Sequence, residues 1–141
     1  MKKEQGRSFV AIMITIGVVS LFLRFGLAKV ILWNISQNES QAQDSLKLIS
    51  VALENYAKAH QGLFPTDFSF LTQAAPLNPA YLDKNYLALS PIKGYNYSCL
   101  RLEPAGYSCA AIPEKCQLSA NTAYTITTGG LLLTEPCSKQ E

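Results

Sequence analysis

The chain has 141 residues, of which 48% are hydrophobic and 16% charged, and a formal net charge of +2. That length accommodates one domain and excludes two comfortable ones. The basic excess sits in the first 33 residues, where Lys2, Lys3, Arg7, Arg24 and Lys29 face Glu4 alone; residues 34–141 carry seven basic and nine acidic residues, and no basic run with interleaved aromatics appears, so no nucleic-acid partner is indicated.

Residues 1–7 form a short basic segment, followed by FVAIMITIGVVSLFL at 9–23, with neither charge nor proline. The positive-inside rule keeps such a basic segment cytoplasmic. A cleaved secretory signal fits poorly, because the bulky Leu21, Phe22, Leu23 and Phe25 stand where small residues would mark the cut. The apolar pattern also resumes after Arg24 and again after Lys29. A helix over residues 8–33 covers about 39 Å, enough to cross a bilayer. Arg24 and Lys29 lie near its outer end, within reach of headgroups.

Residues 34–61 contain no proline or glycine. Ala42, Leu46, Ile49, Leu53 and Tyr56 recur at spacings of three and four, with Ala52 and Ala57 beside them, which predicts an amphipathic helix. Gln41, Gln43, Lys47, Glu54 and Lys58 fall largely on its wet side, and Gly62 is the expected stop. The weak helix formers of residues 34–40, NISQNES, predict a bend or frayed joint between two helical halves.

Thr66 or Asp67 is placed to cap a short helix ending at Leu71 or Ala74. Pro76, Asn78 and Pro79 open a loop that continues to Asn85, and residues 91–94 lead into strands. Residues 95–102 and 107–112 alternate as a hairpin about a turn at 103–106. Residues 113–121 form a loop holding Cys116, and 124–127 and 131–134 flank Gly129-Gly130 as a second hairpin or a strand with a glycine bulge. The expected class is α+β: a long N-terminal helix, apolar in its membrane half and amphipathic beyond, packed on a small antiparallel sheet. Three segments follow: 1–7, 8–33 and a soluble domain over 34–141.

All four cysteines, Cys99, Cys109, Cys116 and Cys137, lie in the last third, separated by nine, six and twenty residues. An even count without CxxC pairs, behind an export-like segment, points to disulfides in an oxidising compartment rather than zinc. Three pairings are open; the best single expectation is nested, with Cys109–Cys116 inside Cys99–Cys137.

Catalytic chemistry is sparse. His60 is the only histidine, near the polar end of the helix, where solvent exposure is expected. No Ser-His-Asp set, phosphate-binding glycine loop or calcium-loop spacing appears, so no enzyme, cofactor or metal is expected. Tyr95, Tyr97, Tyr107 and Tyr124 are expected to pack the sheet.

In order, the leader ending at Gly6, the apolar helix, SLKLISVALENYAKAHQGLFPTD at 45–67, LTQAAPLNPAYL at 71–82, and the tyrosine-rich strands resemble the type IV pilins and the pseudopilins of type II secretion. The resemblance covers nearly the whole chain. It implies a pilin-like fold, an inner-membrane helix with the N-terminus cytoplasmic and the C-terminal domain periplasmic or extracellular, and partners among other pilin-like subunits, membrane lipid, the assembly machinery and prepilin peptidase. The candidate leader cleavage lies between Gly6 and Arg7. Two positions depart from the family. Arg7 stands where phenylalanine normally follows the cut, and the fifth mature residue, normally glutamate, is Ala11 counted from Arg7 or Met13 counted from Phe9. These departures imply a minor subunit, or alternatively a membrane-tethered periplasmic binding module that is neither cleaved nor assembled.

Overall fold

The computed structural model describes residues 5–74 and 79–138, with side chains from residue 9 onward. The element order is α1 (Gln5–Ala59), α2 (Ser69–Thr72), β1 (Tyr95–Glu103), β2 (Gly106–Pro113), β3 (Thr122–Thr127) and β4 (Leu131–Pro136). The class is α+β, with one long N-terminal helix and a four-stranded antiparallel sheet in the order β1-β2-β3-β4. Lys2, Lys3 and Glu4 of the basic segment, and Pro76 and Asn78 of the expected loop, lie outside the described residues. The chain divides into two compact units, Met1–Asn34 and Ile35–Glu141.

In the second unit, the apolar stripe of α1 forms one wall of the core. Ala42, Leu46, Ile49 and Leu53 are fully buried. They join Tyr95, Tyr97, Tyr107, Cys109, Tyr124 and Ile126 from the sheet in one cluster. The four strand tyrosines therefore pack the sheet, as their alternation predicts. Tyr56, at the end of the stripe, is only partly buried; its ring meets Tyr81 edge-on at 5.6 Å.

Residues 34–40 are helical throughout, so no frayed joint interrupts the hydrogen-bonded helix there. Weak helix formers are held there by tertiary bonds. The Asn38 side-chain amide donates to Ser119 O (2.9 Å), and Glu39 Oε1 accepts the Asn121 N–H (2.9 Å). Local propensity is a weak prior that such contacts override.

The helix ends before its expected glycine. Gln61 already adopts a left-handed backbone (φ 58°), Gly62 follows at φ 86°, and the Gly62 N–H donates to Ala57 O at 2.7 Å. This satisfies a terminal carbonyl that the helix leaves open. Beyond it, Asp67 Oδ1 accepts the Ser69 N–H at 2.7 Å and organises the start of α2. The Ser69 side chain first, and that backbone bond second, lower the Asp67 carboxyl from its ordinary value.

Residues 124–134 form a hairpin rather than a bulged strand: Thr127 pairs with Leu131 and Tyr124 with Thr134 about the turn at 128–130. The β1–β2 hairpin carries the irregularity instead, a bulge between Cys99 and Arg101.

Candidate functional surface

The first unit presents an apolar surface with no cover of its own. Residues 9–34 are exposed on every face of α1, including Phe9 (63%), Phe22 (74%) and Trp33 (65%). A helix apolar all round is stable in lipid or against other helices, not as an isolated surface in water. Its polar side chains fit such surroundings. The Thr15 hydroxyl donates to Ala11 O, and the Ser20 hydroxyl donates to Ile16 O at 2.8 Å. Each hydroxyl proton is thus satisfied within the helix, where hydrocarbon would offer no partner. Among the described residues, α1 is long and apolar enough to cross a membrane. Gly6 and Arg7 lie in its first helical turn.

The second unit grips its part of α1 with polar contacts as well as the apolar stripe. Ser50 is buried, and its Oγ lies 2.8 Å from the Tyr107 hydroxyl. The Tyr107 hydroxyl donates to Glu54 Oε1 (3.2 Å), which also accepts the Gly129 N–H at 2.9 Å. Glu54 therefore departs from its expected wet-side role: it bonds to the turn between β3 and β4. The sequence gives no sign of this, because its partners lie 53 and 75 residues away. Burial pushes the Tyr95, Tyr97 and Tyr107 phenols above their ordinary value of 10.0, since a charged phenolate would lose its water. Burial is also the first cause of the rise at Tyr86, with the Asp83 carboxylate adding to it.

The cysteines pair as Cys99–Cys109 and Cys116–Cys137, not in the nested arrangement. Strand register decides this. Cys99 stands directly opposite Cys109 across β1 and β2, which removes both from any other pairing. Cys116, in the loop after β2, then closes on Cys137 at the end of β4. The second bridge anchors the C-terminal strand to that loop, beside the hydrogen bond from Cys137 N–H to Asn121 O (2.8 Å).

His60 is exposed and stacks on Tyr56 with ring centroids 3.8 Å apart; its Nδ1 lies 2.8 Å from Tyr56 O. Tyr56, His60, Phe70, Gln73 and Tyr81 line an open depression of about 260 Å³, and among the described residues no acid lines it. No group of three or more His, Cys, Asp or Glu side chains suited to a metal occurs among the described residues. The chain matches no family model, no curated protein and no solved structure.

Proposed function

We propose that this chain is a membrane-anchored, pilin-like structural subunit, a minor component of a type IV pilus or a type II secretion pseudopilus. The observation that carries the reading is the contrast within α1. Residues 9–34 are exposed and mostly apolar, with Arg24 and Lys29 near the outer end, while Ala42, Leu46, Ile49 and Leu53 are fully buried against a disulfide-bridged sheet. A subunit stored in lipid and assembled through its helix needs an apolar half for both surroundings and a distal half fixed to a folded head. Its partners in this reading are other pilin-like subunits, lipid, the inner-membrane assembly machinery and prepilin peptidase. It carries no catalytic role. Lys2, Lys3 and Arg7 on the leading side support a cytoplasmic N-terminus, and the disulfides support a head in the periplasm or beyond.

A second reading rests on Arg7 after Gly6 and on Ala11 or Met13 at the fifth mature position. A buried glutamate there would pair with a neighbour's amine and set the register between subunits; without it, the chain can remain a tethered binding module. Intact mass of the native protein, extracted from membranes without reduction, separates the two. Loss of residues 1–6 is expected for the assembled subunit. A full-length mass overturns processing and leaves the tethered module.

A further inference from the structure

The two edges of the sheet differ in how their backbones are satisfied. Along β1, the Ile92 N–H donates to Tyr95 O (2.9 Å), the Tyr95 N–H donates to Ile92 O (3.0 Å), and the Tyr97 N–H donates to Ser90 Oγ (2.6 Å). The bulge after Cys99 and the Arg101–Glu103 ion pair (3.2 Å) then interrupt the rest of that edge. Covers, bulges and charges are the usual means of keeping an edge from pairing. Along β4, among the described residues, no hydrogen bond reaches the outward backbone of residues 131–135. That strand begins Leu131-Leu132-Leu133-Thr134, without a charge. Leu131 (60%) and Leu133 (46%) are exposed on the face away from the core, whereas Leu132 packs against the core.

We propose that β4 is the docking edge of a symmetric dimer, in which β4 of one copy pairs antiparallel with β4 of a second copy about Leu133. A row of outward N–H and C=O groups at strand spacing is satisfied by another extended strand, which identifies the class of occupant. The choice of a second copy follows from the strand's own sequence. Two-fold pairing about Leu133 sets Leu133 against Leu133, Leu132 against Thr134, and Leu131 against Glu135. Every pair shares a face of the joined sheet, and no two like charges stand opposite each other. Pro136 has no N–H and ends the pairing at Glu135. The joined sheet has eight strands and terminates at the two covered β1 edges, so association closes at two copies. This contact is separate from any assembly through the apolar helix.

Leu133 is exposed, so charged variants there keep the core intact. Full-length protein in detergent micelles is compared by light scattering as wild type, as Leu133→Lys, as Leu133→Glu, and as an equal mixture of the two variants. Wild type is expected to be dimeric. Each variant alone sets like-charged side chains opposite each other on Cβ atoms roughly 5 Å apart, and is expected to raise the dissociation constant about fivefold. The mixture is expected to recover the dimer by pairing lysine with glutamate. A monomeric wild type overturns the proposal. A dimer that persists in Leu133→Lys also overturns it, and assigns association to another surface such as the helix. If each variant alone is monomeric but the mixture fails to recover, pairing about Leu133 is overturned.

Discussion

The two parts of α1 share a backbone conformation and differ in what each asks of its surroundings. In the first unit, residues 9–34 are exposed on every face and uncharged over 9–23, with the Thr15 and Ser20 hydroxyls turned back onto the helix. In the second, the apolar residues narrow to a stripe, and Asn38, Glu39, Ser50 and Glu54 bond to loops and strands. Helical structure alone therefore says little about stability. The first part depends on an external apolar phase, and the second depends on its own sheet. Perturbing one should leave the other unaffected.

A core truncation tests that separation most strongly. Leu53→Ala empties a fully buried position and should cost about 2–5 kcal/mol in urea unfolding of the sheet unit. Leu21→Ala, at a 59% exposed position, should leave the same transition unmoved. A shift with Leu21→Ala would show that the two units fold together. Next come the disulfides. Removing Cys116–Cys137 or Cys99–Cys109 by paired serine substitutions should cost about 3 kcal/mol each, with the larger loss for Cys116–Cys137, whose closed loop is longer. Equal unfolding midpoints with and without a reductant would contradict both.

A smaller effect is expected at Glu54. Glu54→Ala should lose about 1–2 kcal/mol and speed amide exchange at Gly129, whose N–H it accepts. Glu54→Gln keeps an acceptor and should lose less. If Glu54 were simply solvated, exchange at Gly129 would not change. The most gradual effect is alkaline. The phenols of Tyr95, Tyr97 and Tyr107 are raised in the folded state above 10.0, so that state holds protons the unfolded chain releases. Their contribution is complete below pH 10 and is lost as pH rises through the raised values. Denaturant melts from pH 8 to 12 should therefore show a flat region followed by a decline. Stability that held constant above pH 10 would contradict the buried phenols.

Much of this fold is legible in residue spacing. The period of three and four from Ala42 to Leu53 identifies the buried stripe, and the alternation of Tyr95 and Tyr97 identifies the strand's core side. The uncharged run at 9–23 identifies the apolar surface. Each is a local pattern whose consequence follows from the geometry of a single element. A frayed joint at residues 34–40 is likewise a local expectation, and it fails because Ser119 and Asn121 bond to Asn38 and Glu39 from outside the helix.

Local residue patterns therefore specify the long helix, its division into an apolar part and an amphipathic part, the tyrosine-packed sheet and the number of bridged cysteines. Which cysteines meet, where the Glu54 carboxylate bonds, and which sheet edge is covered are set by the folded arrangement. These outcomes depend on strand register and on groups tens of residues apart. The spacing of side chains along one element fixes the face on which each side chain lies, but not the partner that the folded chain brings to it.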